Sequence, residues 1–316
     1  MRNSFFRALE EHAQPETVFI TGDLGFGVLD NFIKKFPAQF INAGVAEQNM
    51  VGMAAGLALA GKKVFAYSIA NFTTLRPLEQ IRNDVAYHNL NVTIVSVGGG
   101  LAYGSLGVSH HATEDIAIMR AIPNMKVFAP GDTVEAYHIT KKIITEISGP
   151  VYLRLGRAGE ATIHSEESIK KIILGKGFPL IESSSKELAL LSTGGMLETA
   201  VNVSAMLKEK GIESSVYSFH TIKPMNVEQV RGLFKEYKYV ATLEEHSGTG
   251  GFSSAVLESL VGATGIRLEN FIPFSLPSQF ISKVGDQNYL RDVYGLSAQK
   301  IVEKLQNVQS KVKNNI

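Results

Sequence analysis

The sequence predicts an α/β protein of two domains, each a mostly parallel sheet flanked by helices. Three observations carry that expectation. Short, continuously apolar stretches, such as residues 17–21, 91–97 and 188–191, have the length and composition of strands buried on both faces. Helix-length amphipathic segments separate them, so the two periods alternate along the chain. The alternation lapses once, between about residues 158 and 186, into a polar Ser/Glu/Lys-rich stretch, and then restarts. The expected organisation is a first domain at 1–160, a linker at 161–186 and a second domain at 187–316.

In the first half, residues 2–12 read as a helix and 17–21 as a strand. A short strand at 40–41 leads into a helix at 45–60 that is rich in small residues. Strand 63–67, helix 75–88, strand 91–97 and helix 114–121 follow. Strand 125–129, helix 134–147 and strand 151–154 close the half. The linker carries one short strand at 172–174. In the second half, strands at 188–191, 213–217, 239–243 and 265–269 alternate with helices at 197–210, 227–234 and 251–260. A terminal helix at 298–306 runs into a basic tail that should fray. No repeat of solenoid length is present in the sequence.

Lys and Arg number 31 and Asp and Glu 30, a net charge of +1, so nothing electrostatic favours nucleic acid or an anionic membrane as partner. The absence of cysteine excludes disulfides, thiolate metal ligands and cysteine nucleophiles. No apolar run approaches the ~18 residues of a membrane span. The N-terminus, with Glu10 and Glu11, lacks the unbroken apolar core of a signal peptide. The expectation is a cytoplasmic protein.

Chemistry-bearing residues gather just past strand ends, where parallel sheets place ligands. Strand 17–21 ends in Gly22-Asp23-Leu24-Gly25. Strand 40–41 runs towards Glu47, a carboxylate opening an apolar helix. Strand 63–67 leads to Asn71, Phe72 and Arg76. Strand 91–97 enters GGGLAYGSLGVSHH at 98–111, a glycine-rich loop too costly to order for a mere connector. Each has a plainer reading: a macrodipole partner for Glu47, a turn or cap for Asp23, core for Phe72. His110, His111, Glu114 and Asp115 are metal-ligand types, but adjacent histidines rarely face one ion. The loop lacks the Lys-Ser/Thr of a phosphate loop. His220 and Glu244-Glu245-His246 also follow strands and suit a domain interface, and no Gly-x-Ser-x-Gly elbow is present.

Together these residues resemble the thiamine diphosphate-dependent transketolase family, specifically its pyrimidine-binding and C-terminal domains. The similarity rests on Gly44-Val45-Ala46-Glu47-Gln48-Asn49-Met50, on Gly107-Val108-Ser109-His110, and on Glu244-Glu245-His246 followed by Gly250-Gly251-Phe252. It implies that Glu47 bonds the cofactor's aminopyrimidine and favours the tautomer that generates the nucleophile. It implies that Phe72 stacks on that ring, that Arg76 also binds the cofactor, that Asp23 and Leu24 stand beside the thiazolium, and that His110 reaches cofactor and reacting carbonyl oxygen. Arg2 and Arg157 match the two arginines that grip a sugar phosphate.

The family's Gly-Asp-Gly diphosphate motif is not matched: Gly22-Asp23-Leu24, Gly131-Asp132-Thr133 and Gly285-Asp286-Gln287 each lack the last glycine. The resemblance therefore implies one subunit of a split transketolase, with no metal ligand on this chain. A separate N-terminal transketolase subunit would hold the diphosphate and Mg2+, in an α2β2 assembly. Three departures fall in the substrate pocket. Gly98 stands where the family has a histidine, Gly27 where it has a serine, and Leu106 where it has an aspartate. The glycine-lined mouth (Gly98, Gly99, Gly100) suggests room for a bulkier, modified or nucleotide-linked sugar. The rival readings are the β subunit of a 2-oxoacid dehydrogenase, which the His110 motif and the two arginines disfavour, and a non-catalytic cofactor-binding subunit.

Overall fold

The computed structural model describes residues 1–25, 27–169 and 172–313, with side chains through residue 307. Helix α1 (Arg2–His12) and strand β1 (Thr17–Thr21) are followed by α2 (Asp30–Lys35), β2 (Phe40–Asn42) and α3 (Glu47–Leu59). Then come β3 (Lys63–Ile69), α4 (Ala70–Leu75), α5 (Leu78–Gln80), β4 (Val92–Val97), α6 (Asp115–Ala121), β5 (Lys126–Phe128), α7 (Thr133–Thr145) and β6 (Val151–Leu155). The remainder comprises α8 (Glu166–Ile169), β7 (Phe178–Ile181), β8 (Leu188–Ser192), α9 (Leu197–Glu209), β9 (Ser215–Ser218), β10 (Thr221–Lys223), α10 (Val227–Glu236), β11 (Tyr239–Ser247), α11 (Phe252–Ser259), β12 (Phe271–Leu276), α12 (Gln287–Val293) and α13 (Ala298–Lys313).

Two sheets result. The first has the order β10-β5-β6-β4-β3-β1-β2, parallel except for β10, and the second β12-β11-β8-β9-β7, parallel except for β7. Strands β1, β4 and β6 are buried along their whole length, as the continuous apolar runs require. An aromatic core on one face of the first sheet joins Phe5 and Phe6 of α1 to Phe19, Phe32, Phe65 and Tyr67. A second core on the other face continues through β10 and α10 into α11.

Four expectations are corrected. The helix expected at 75–88 breaks at Pro77, whose ring and missing N–H cannot continue α4, and its later part, Ile81–Ala86, winds as a π-helix. The linker strand lies at Phe178–Ile181, not 172–174, and the last strand at Phe271–Leu276, not 265–269. Both contain a proline, Pro179 and Pro273, which argues against a strand until one sees that each lies on a sheet edge. Strand β10 was not expected at all. It comes from the second half of the chain yet pairs antiparallel with β5, completing the first sheet.

Candidate active site

The carboxyl ends of β1, β2, β3, β4 and β6 share one rim. At the end of β1, Asp23 takes φ 57°, a left-handed conformation that aspartate tolerates. Its N–H donates to Asn42 Oδ1 at 3.1 Å, and Asn42 Nδ2 donates back to Asp23 Oδ1 at 2.9 Å. Asn42 Oδ1 also accepts from Gly44 N–H at 3.0 Å, which sets the turn into α3. The Leu24 carbonyl accepts from Thr21 Oγ1 at 2.8 Å, and its side chain packs against the aromatic core.

Glu47 is the first residue of α3 and only 5 % exposed. Its Oε1 accepts from Arg76 Nη1 at 2.7 Å, and that guanidinium lies 3.9 Å from the centroid of the Phe72 ring. Phe72 meets His110 edge to face at 5.0 Å, and His110 meets Tyr103 at 6.3 Å. The Arg157 guanidinium stands 5.3 Å from the Tyr103 ring. A continuous line of contacts thus runs from Glu47 to Arg157. Ser109 Oγ lies 3.0 Å from His110 Nδ1, and Asn71 Nδ2 donates to the Ser109 carbonyl at 2.8 Å, which orients the imidazole. Burial, followed by the charges of Arg76 and His111, holds His110 below its ordinary pKa, so the ring is neutral at neutral pH.

Arg2 begins α1, and its buried Nε has no hydrogen-bond partner. A buried donor without an acceptor is a place for a ligand oxygen. Arg2 and Tyr103 both act on the Tyr67 phenol, which burial pushes well above its ordinary value, so they belong to one neighbourhood. A cleft of about 470 Å³ opens beside them, lined by Met1, Gly99, Arg154, Arg157, Glu160 and Arg291 among others.

The open glycine mouth expected from the sequence is not there. A Cβ at Gly98 would overlap the Tyr103 ring, one at Gly99 would come within 2.7 Å of Arg154 Nε, and one at Gly100 would strike the Glu245 carboxylate. Side chains from elsewhere have taken the space. Leu106 is 54 % exposed on the outside of the loop, and Gly27 is exposed with open space around it. Tyr103 carried no signal in the sequence beyond being an aromatic inside a glycine-rich loop.

Other motif residues are structural. Glu244 accepts from Phe252 N–H (2.6 Å) and Ser253 N–H (2.9 Å), capping α11. Glu245 accepts from Leu101 N–H at 2.6 Å and from Gln287 Nε2 at 2.8 Å, and pairs with Arg291, pinning the 98–111 loop to α12. His246 Nε2 accepts from Ala117 N–H at 3.3 Å. The two adjacent histidines diverge, since His111 is buried with Nε2 3.3 Å from the Gly104 carbonyl. Asp115 accepts from Arg154 (2.7 Å) and Tyr152 (2.6 Å), both on β6.

One buried cluster, Asp132, Glu135 and His164, has the ligand types of a metal site. Its two imidazole nitrogens face different carboxylates, Asp132 at 3.2 Å and Glu135 at 3.4 Å, and Asp132 already accepts four backbone N–H groups. Burial lowers the His164 pKa, but Asp132 and Glu135 outweigh it and leave the net shift upward. The cluster sets one imidazole between two acidic side chains, each beside a different ring nitrogen.

The Arg76 contacts test what the rim recognises. A guanidinium is a flat nitrogen group that donates to a carboxylate and lies on an aromatic face. Glu47 and Phe72 therefore suit a flat nitrogen heterocycle with a donor edge, and the aminopyrimidine of thiamine diphosphate fits that donor set.

Fold and rim together define a two-domain α/β chain whose strand ends set a buried carboxylate and an aromatic ring around one guanidinium. Residues 1–159 match the family described as the transketolase pyrimidine binding domain, and residues 179–301 the transketolase C-terminal domain. The chain belongs to the transketolase family. It is 38% identical over 262 residues to an apulose-4-phosphate transketolase subunit of Phocaeicola vulgatus, covering 82% of this chain and 83% of that one. It is 33% identical over 305 residues to a 6-deoxy-6-sulfo-D-fructose transketolase subunit of Clostridium sp., covering 96% and 92%. Among solved structures, it superimposes on a split-gene transketolase described as an inactive β4 tetramer. There the TM-score is 0.87 and the identity 36%, with 97% of each chain covered.

Proposed function

We propose that this chain is the pyrimidine-side subunit of a split transketolase that moves a two-carbon ketol unit from a ketose to an aldehyde or ketone acceptor. The observation that carries the reading is the Glu47–Arg76–Phe72 arrangement, a carboxylate and an aromatic face already holding a flat nitrogen group. Glu47, Phe72, Asp23 and Leu24 form this chain's share of the thiamine diphosphate site, and Arg76 must yield its place there. The cofactor supplies, when bound, the carbon nucleophile for breaking the ketose C2–C3 bond. A partner chain holds the diphosphate and Mg2+, in an α2β2 assembly.

His110 is neutral at working pH and can give a proton to, or take one from, the reacting oxygen of the substrate. Its orientation is fixed by Ser109 and by Phe72. Arg2 and Arg157 hold an anionic end of the sugar, for which guanidinium forks are well shaped. The relatives named above act on apulose 4-phosphate and on a sulfonated deoxyfructose. A modified ketose with a terminal anion is the substrate class assigned here.

Calorimetry with thiamine diphosphate and Mg2+ tests the reading, using the chain alone and then with its partner. Binding only in the mixture, abolished or weakened by Glu47→Ala, supports it. Tight binding to the chain alone overturns the assignment of the diphosphate site to a partner. Cofactor binding without turnover of any ketose makes this a non-catalytic subunit.

A further inference from the structure

Gly98 has no side chain to offer the substrate, yet its place is not empty. The loop folds back so that the Tyr103 ring covers the direction in which a Gly98 side chain would project, and any Cβ there would overlap Cε2 and Cδ2 of that ring. The φ of 81° at Gly98 reinforces the point, since side-chain-bearing residues rarely adopt it. The Arg157 guanidinium lies 5.3 Å from the centroid of the same ring, and the His110 imidazole meets it edge to face at 6.3 Å. Tyr103 therefore neighbours both the residue that grips the anion and the residue that serves the reacting oxygen.

We propose that Tyr103 determines the substrate specificity of this site, walling the lane between Arg157 and His110 with an aromatic face and one hydroxyl. The proposal rests on the transketolase reading and extends it to the chemistry of the substrate's middle carbons. A ring face favours C–H groups and leaves sugar hydroxyls without partners, whereas buried hydroxyls need them. Leu106 is 54 % exposed on the outside of the loop and has no polar group to offer. The loop cannot retreat to open the lane, because Gly100 is bridged to Ala112 and Leu101 N–H is held by Glu245. The substrate class is a ketose with an anionic terminus that turns a C–H face towards Tyr103 and places at most one oxygen at its hydroxyl.

Two arms test this in the complete enzyme with its partner chain. Donor selectivity is measured as the ratio of kcat/KM values across a panel comprising xylulose 5-phosphate, fructose 6-phosphate and their deoxy and sulfonated analogues. Tyr103→Ala is expected to change that ratio at least tenfold, the loss on the preferred donor falling in KM more than in kcat. Tyr103→Phe, which keeps the ring, is expected to keep the ratio within about threefold while raising KM. The second arm needs no turnover: protection of the protein against thermal unfolding by each donor, whose rank order should change in Tyr103→Ala and persist in Tyr103→Phe. If wild type turns over ketoses and Tyr103→Ala leaves both the ratio and the rank order unaltered, the Tyr103 assignment is overturned alone. If wild type neither turns over nor is protected by any member of the panel, the transketolase reading falls and takes this assignment with it.

Discussion

Arg76 touches Glu47 and Phe72 with one flat group, and on the proposed function the cofactor's aminopyrimidine takes that place. Replacing Glu47 by alanine removes the acid while Arg76, about half exposed, regains water. Turnover by the complete enzyme should drop by about 10²–10⁴-fold, with little change in the melting temperature of the chain. A fall in melting temperature matching the loss of rate would assign Glu47 a structural role. His110 gives a second test. Its pKa lies below the ordinary 6.5 because of burial and then Arg76 and His111, so the ring stays neutral to lower pH and the acid limb of kcat/KM should lie below 6.5. In the chain without cofactor, where Arg76 lies on Phe72, Arg76→Met removes a nearby positive charge and should raise the His110 pKa, as an NMR titration would record. That Glu47 and His110 stand on one rim was legible in the sequence, because short motifs past strand ends place them. Tyr103 was not, because its position depends on how a loop closes over a glycine five residues away.

At the level of elements, the 98–111 loop is held by a carboxylate from the other half of the chain. Glu245 takes the Leu101 N–H, the Gln287 amide and the Arg291 guanidinium, and is itself buried. Glu245→Ala leaves a cation and a backbone donor without their partner, which costs about 3–5 kcal/mol for a buried pair. Chemical denaturation should show that loss, and amide exchange should rise within 98–111. An unchanged exchange pattern would mean that the loop is held by other contacts. The Glu-Glu-His motif announced itself in the sequence, but its purpose did not. Three polar residues after the expected strand 239–243 suited a domain interface, but which group each would hold was not legible. Edge strands were the other failure: Pro179 and Pro273 suppress the strand signal locally, and sheet position restores it.

For the whole molecule, two buried histidines shape the pH dependence of stability in opposite directions. His164 has a raised pKa in the fold, so its contribution is full below the unfolded value of 6.5 and is lost as pH rises through the folded one. His220 is pushed down to about 3, chiefly by burial, so the fold excludes its proton. Its contribution is present above 6.5 and is lost as pH falls from there towards 3. Melting temperature against pH should therefore decline on both sides of near-neutral pH. His164→Gln should flatten the alkaline side and His220→Asn the acid side; a variant that leaves its own side unaltered would exclude that histidine as the cause.

Strand β10 has a consequence for synthesis. When residues up to 186 have left the ribosome, six strands of the first sheet exist and β5 lies at its edge with one ladder unpaired. The seventh strand, Thr221–Lys223, emerges only after much of the next domain has been made. Until then the nascent chain carries an open strand edge, the kind of surface that invites pairing with other chains. The first domain is thus finished late, by a piece of the second, and a fragment cut anywhere before residue 221 would keep that edge for good.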